Sequence, residues 1–199
     1  MSKSVDYYFT PISPFAYLGH ARFVEIARRH DAAIAVKPIN LGRVFPVSGG
    51  LPLGKRAPQR QAYRLIELKR WSSYLHLPLN VHPAHFPVSG DLASKWILAA
   101  LEHGSDAALD FAGACGRAVW AEERDIADRH TLAAIATAQG CDVDALEARA
   151  DAPDIATRYD MLTQEAIDRG VFGAPTYVCG GELFWGQDRL DFLDRELAK

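Results

Sequence analysis

The pair Ser13-Pro14 is the place where chemistry is most readily built into this chain. It follows the aromatic run Asp6-Tyr7-Tyr8-Phe9-Thr10 and precedes Phe15-Ala16-Tyr17-Leu18, so a strand hands over directly to a helix N-terminus. Serine is a preferred N-cap, and proline suits the first helical turn because the N–H it lacks would have had no partner there. The free N–H groups and the dipole at such an end favour an anion. As a nucleophile Ser13 is poor, since it has no histidine or aspartate beside it in sequence and no G-x-S-x-G elbow around it. As a hydrogen-bond donor to a thiolate it needs no activation, and with the helix dipole it lowers a thiol pKa. A plain capping role competes with this reading.

Gly173-Ala174-Pro175-Thr176 precedes a second strand signal. Its proline either marks a strand edge or forms a cis peptide beside the Ser13 helix end, leaving the Ala174 backbone free to pair with an extended, peptide-like ligand. Gln187-Asp188-Arg189 opens the last helix. Asp188 there either balances the dipole or binds a ligand ammonium while backbone N–H groups hold a carboxylate, as an α-amino-acid head group requires. Gly49-x₄-Gly54-Lys55 imitates a phosphate loop, but Arg56 stands where Ser or Thr would bind Mg²⁺, and Pro52 and Pro58 interrupt it. His76, His82 and His85 lie in a proline-rich connection without a cysteine and are expected to be solvated or capping, so no metal site is expected. Cys115 in an alanine-rich helix and Cys179 on a strand are expected to be buried and unactivated, and Glu122-Glu123-Arg124-Asp125 is expected to be a charged face.

The elements that must position these residues follow from periodicity. Strands are expected at Asp6–Thr10 and Ala33–Ile39, with a helix from Phe15 to Arg29 between them, giving a parallel β-α-β start. Pro46 to Pro58 is expected to be an irregular loop. Helices are expected at about 59–75, 90–103, 106–121, 130–139, 142–149 and 154–169. Thr176-Tyr177-Val178-Cys179 and Glu182-Leu183-Phe184-Trp185, joined by Gly180-Gly181, form a hairpin, and a helix from Gln187 to Leu197 ends the pattern.

The 199 residues carry a net charge of −3 and no basic block, which argues against a nucleic-acid or anionic-membrane partner. An apolar run of transmembrane length and a signal-type apolar segment are both lacking. Three widely spaced cysteines without a CxxC pair argue against a disulfide framework and for a reducing compartment, so the expected location is cytoplasmic.

The ordered set of motifs resembles the 2-hydroxychromene-2-carboxylate isomerase family, within the DsbA-like branch of the thioredoxin superfamily, and is similar to kappa-class glutathione transferases. It comprises Tyr8-Phe9-x₃-Ser13-Pro14-Phe15-Ala16-Tyr17-Leu18, the Pro58–Arg70 helix with Tyr63 and Leu68-Lys69-Arg70, Phe86-Pro87, Gly170-Val171-Phe172-Gly173-Ala174-Pro175-Thr176, and Glu182-Leu183-Phe184-Trp185-Gly186-Gln187-Asp188-Arg189-Leu190. The resemblance covers essentially the whole chain.

It implies an α/β thioredoxin-like domain from residues 1–45 and 170–199 with a large all-helical insertion from 46–169. It also implies glutathione as cofactor, a homodimer, and a small aromatic or unsaturated acid as substrate. Redox proteins of this type place a cysteine where Ser13 stands, so the thiolate comes from glutathione. Ser13 then stabilises that thiolate, the Ala174 backbone before a cis Pro175 pairs with the cysteinyl part, Asp188 and Gln187 bind the γ-glutamyl head, and Arg60 meets the glycyl carboxylate. Relatives often carry Asn after Gly in the loop before the Pro58 helix, whereas this chain has Ser48-Gly49-Gly50, so one cofactor contact is lost or replaced. The implied activity converts 2-hydroxychromene-2-carboxylate and trans-o-hydroxybenzylidenepyruvate into one another. A kappa-like transferase and a non-catalytic thiol- or peptide-binding protein are the alternatives.

Overall fold

The computed structural model describes residues 3–199. β1 (Ser4–Phe9) leads through α1 (Pro14–Arg29) to β2 (Ala33–Pro38), which pairs parallel to β1 with Tyr7 opposite Val36. β3 (Thr176–Cys179) and β4 (Glu182–Trp185) add antiparallel on the other side, giving the order β2-β1-β3-β4. The two-residue turn between β3 and β4 needs positive φ twice, and Gly180 (58°) and Gly181 (88°) supply it.

β1 is covered on both faces. Val5, Tyr7 and Phe9 join the main core, while Tyr8 packs the other way with Ile39, Val44, Ala166 and Val178. Tyr7 stacks on Phe9 and Tyr177, with ring centroids 4.4 and 5.4 Å away.

The helical region comprises α2 (Leu41–Ser48), α3 (Pro58–Leu75), α4 (Asp91–Ala100, continued by a 3-10 turn to His103), α5 (Ser105–Trp120), α6 (Arg129–Ala138), α7 (Val143–Ala150) and α8 (Pro153–Asp168). From α3 to α8 every boundary falls within one residue of expectation, once the turn is counted with α4. Prolines at the first helical positions of α3 and α8 and aspartate caps at Asp128 and Asp142 set the starts.

The stretch expected to be a loop from Pro46 differs, because α2 runs through it and a helical turn follows at Leu53–Lys55. Asn40 caps α2 by accepting from the Gly42 N–H at 2.8 Å, Val44 anchors it in the core, and Gly49 ends it at φ 77°. Capping and burial outweigh the poor propensities of Gly42 and Pro46. The last helix, α9 (Leu190–Leu197), is preceded by a 3-10 turn at Gln187–Arg189. α4 and α5 share the main core with the sheet, and α8 packs against α2 and β2 on the other face. Among the described residues no helix is long and apolar enough to cross a membrane.

Candidate functional site

Ser13 ends the turn after β1 and caps α1. Its N–H donates to the Thr10 carbonyl at 3.0 Å, and its Oγ accepts from the Ala16 N–H at 3.2 Å while donating to the Ala174 carbonyl at 3.3 Å. The same hydroxyl therefore fastens α1 and faces the segment before β3. The Ala174–Pro175 peptide is cis. Ala174 is half-buried, and among the described residues its N–H makes no hydrogen bond, so an extended ligand can pair with it there.

The Pro175 carbonyl accepts from the Gly186 N–H at 2.8 Å, which draws the Gln187–Arg189 turn to the same end of the sheet. Asp188 is exposed there, 3.1 Å from the Arg189 guanidinium, an ion pair that a ligand ammonium can replace at small cost. The Gln187 side chain is buried, accepts from Arg22 Nη1 at 3.2 Å, and sits so close to Gly19 that a Cβ there would lie 2.5 Å from the Gln187 Cβ. Gln187 docks the turn onto α1 and so positions Asp188. Arg60 stands exposed on α3, with no side-chain partner among the described residues.

Two residues given no role from sequence flank Ala174. Phe172 and Trp185 meet edge to face at 4.8 Å, are 41% and 51% exposed, and form an aromatic wall with Gly173 packed under the indole. The signal available in sequence was an aromatic on each side of the Ala174-Pro175 segment, which is not specific by itself. A cleft of about 920 Å³ runs elsewhere, between α1 and α5 past Tyr17, Val24 and Leu109.

The chain's own thiols lie away from Ser13. Cys115 is buried in α5, where burial pushes its pKa far up, and Cys179, at the end of β3 remote from Pro175, is also raised, chiefly by burial. The arrangement can therefore hold and ionise a thiol brought to it, using a helix N-terminus, one hydroxyl and a free backbone edge.

The DSBA-like thioredoxin domain family matches residues 4–198. A 2-hydroxychromene-2-carboxylate isomerase of Sphingobium xenophagum is 34% identical over 199 residues, covering 99% of each chain. The chain belongs to the 2-hydroxychromene-2-carboxylate isomerase family. A solved isomerase of this name superposes with a TM-score of 0.82 at 29% identity, over 98% of this chain and 94% of the other. The cytosolic disulfide reductase DsbM from Pseudomonas aeruginosa, solved with GSH, shares the fold at a TM-score of 0.69 and 15% identity, covering 98% of this chain and 100% of that one. Within the isomerase family, then, this chain presents Ser13 at the strand-to-helix junction beside a cis proline.

Proposed function

We propose that the chain is a glutathione-dependent isomerase that interconverts 2-hydroxychromene-2-carboxylate and trans-o-hydroxybenzylidenepyruvate. The observation that carries this reading is the Ser13 hydroxyl, which caps α1 and lies 3.3 Å from the Ala174 carbonyl at a backbone edge open to a peptide-like ligand. Glutathione, when bound, supplies a thiolate that adds reversibly to the conjugated C=C bond, so that the bond can turn and reform without redox change.

The chain's own residues do the rest. Ser13 turns its O–H from the Ala174 carbonyl to the sulfur while its Oγ keeps the Ala16 N–H, and the α1 dipole adds to the preference for negative charge. The serine bond is worth ~1.5–3 kcal/mol and the dipole ~0.3–1. Ala174 orients the cysteinyl backbone, Asp188 takes the ammonium of the γ-glutamyl head, and Arg60 takes the glycyl carboxylate. Phe172 and Trp185 shield this edge from water. The DsbM structure with GSH supports the choice of cofactor, since the same fold accommodates glutathione there.

Tyr63, Ile66 and Tyr74 are exposed along α3 and fit a homodimer contact, which light scattering reads directly. A cytoplasmic site of action completes the proposal. The test is the absorbance decay of trans-o-hydroxybenzylidenepyruvate with and without glutathione. Fast decay only with glutathione is expected, and decay indifferent to glutathione refutes the proposal. Consumption of glutathione with a halogenated acceptor, and no isomerisation, would favour a kappa-like transferase.

A further inference from the structure

α3 carries a column of like charge that the described residues leave uncompensated. Arg60 and Arg64, four residues apart, share one side of the helix, and Arg56, just before it, lies near enough to repel both. None forms an ion pair with a carboxylate among the described residues; Arg56 donates only to the Leu51 carbonyl, at 2.8 Å. Arg64 is the unusual member. It is half-buried, one turn before the fully buried Leu68, and its guanidinium lies over the rings of Phe86 (5.4 Å) and Trp120 (5.6 Å). Burial, with Arg56 adding like-charge repulsion, pushes its pKa down to about 10. A cation removed from water and faced only by aromatic rings is costly unless an anion arrives to meet it.

The helix crossing locates this cation. A Cβ at Gly113 would meet the His20 ring at 3.0 Å, and one at Gly116 would meet Tyr17 at 3.3 Å, so α5 runs antiparallel to α1. One turn further along α5, Trp120 continues in the direction of the α1 N-terminus, the end that Ser13 caps. The segment from Phe86 reaches the same place from the other direction, since a Cβ at Gly90 would meet Thr10 Oγ1 at 3.1 Å and Ile12 at 3.3 Å. Arg64, lying over Phe86 and Trp120, is thus carried toward the end of α1 that Ser13 caps.

We propose that Arg64 binds the carboxylate of the unsaturated oxo-acid substrate, its planar fork held by Phe86 and Trp120, and so determines specificity for acids over neutral enones. The proposal rests on the isomerase reading. It divides two carboxylates between two arginines: the exposed Arg60 takes that of glutathione and the half-buried Arg64 that of the substrate. A bidentate guanidinium–carboxylate pair in a water-poor pocket is the strong form of this contact.

The experiment compares the wild-type protein with Arg64→Met and Arg64→Lys. Arg64→Met removes an unpaired half-buried charge, so its Tm is expected to equal or exceed that of the wild type. Steady-state rates with trans-o-hydroxybenzylidenepyruvate should show KM raised about 10–100-fold in Arg64→Met, less in Arg64→Lys, with the half-saturating glutathione concentration within about twofold of wild type. The methyl ester of the substrate should lose most of its disadvantage relative to the acid in Arg64→Met. A rise in half-saturating glutathione with unchanged substrate KM would assign Arg64 to the cofactor and overturn the proposal, as would no change in either. If the wild type does not isomerise the acid, the functional reading fails separately. Calorimetric titration of the same acid into both proteins then decides the carboxylate site: a tenfold or greater loss of affinity in Arg64→Met sustains it, and equal affinity overturns it.

Discussion

Replacing Ser13 with alanine separates a ligand-directed hydroxyl from a mere cap. The variant removes one acceptor for the Ala16 N–H and one donor 3.3 Å from the Ala174 carbonyl. Loss of the cap costs ~0.5–2 kcal/mol of stability whichever role is right. The functional role adds a second consequence. A hydrogen bond to a charged sulfur is worth ~1.5–3 kcal/mol, and 1.36 kcal/mol corresponds to one pKa unit, so the bound thiol's pKa should rise by about 1–2. Below that pKa the ionised fraction falls about 10–100-fold, while the more basic sulfur is intrinsically more nucleophilic, with a Brønsted slope of about 0.4–0.5 that recovers about 3–10-fold. The net expectation is a loss of about 3–10-fold near neutral pH, with the rate profile displaced by about 1–2 pH units to the alkaline side and most of the rate recovered there. Isomerisation is followed by absorbance across pH at saturating glutathione, with urea unfolding measured alongside. A lowered unfolding midpoint with an undisplaced pH profile would refute the thiolate role and leave Ser13 as a cap.

Asp188→Asn should weaken glutathione binding about tenfold, read by calorimetry, with little change in Tm, because the only ion pair it loses among the described residues is the exposed one to Arg189. Gly19→Ala should lower the unfolding free energy from urea titration by ~1–3 kcal/mol despite the better helix propensity of alanine, since its Cβ would lie 2.5 Å from the Gln187 Cβ and 3.1 Å from the Tyr177 hydroxyl; a gain in stability would show that the Gln187 turn is not fixed there. Acid should destabilise the sheet through Asp6 and Glu165. Burial raises both pKa values, but hydrogen bonds and charge from Lys37, with Arg169 on Asp6 and Tyr8 on Glu165, outweigh it and hold both below the usual range. Their contribution is therefore full above the unfolded pKa of about 4 and lost as pH falls through the lower folded values. The urea midpoint should drop below about pH 4 less steeply in Lys37→Met than in the wild type, and parallel curves would refute the linkage.

The fold was legible where local chemistry and tertiary packing agree. Pro58 and Pro153 at helix starts, Asp128 and Asp142 as caps and Gly180-Gly181 in the hairpin announce their elements, and each takes the place its type demands. α2 was hidden because Gly42 and Pro46 argue locally against a helix, while Val44 in the core decides for one. In the site, Ser13 beside Ala174 follows from a strand-to-helix junction and a motif, and Asp188 was singled out by its place at the start of the last helix and by the motif. The inward turn of Gln187 depended on the absence of a side chain at Gly19, 168 positions earlier, and no sequence period reports such a contact. Arg64 was missed for a related reason. Its interest lies in what the described residues fail to put opposite it, and only the meeting of Phe86 and Trp120 around it shows that.

Under the proposed mechanism, serine at position 13 also explains how a thioredoxin-type scaffold suits an isomerisation. A cysteine at this helix end would carry the reactive sulfur in the chain and tie turnover to its redox state. Here Cys115 and Cys179 lie elsewhere with raised pKa values, and what remains at α1 is a dipole, a hydroxyl with two neutral backbone partners, and a free peptide edge. These groups hold a proton equilibrium and a geometry but store no electrons. The same economy limits how far a thiol is acidified: one neutral donor and one helix end lower its pKa by about 1–3, short of the deep depressions reached beside a charged imidazolium. A moderate value suits a reaction that must run in both directions at the sulfur, because a more acidic thiol leaves faster but attacks more slowly. Under the proposed glutathione mechanism, Ser13 is therefore a better residue for this task than a cationic neighbour would be.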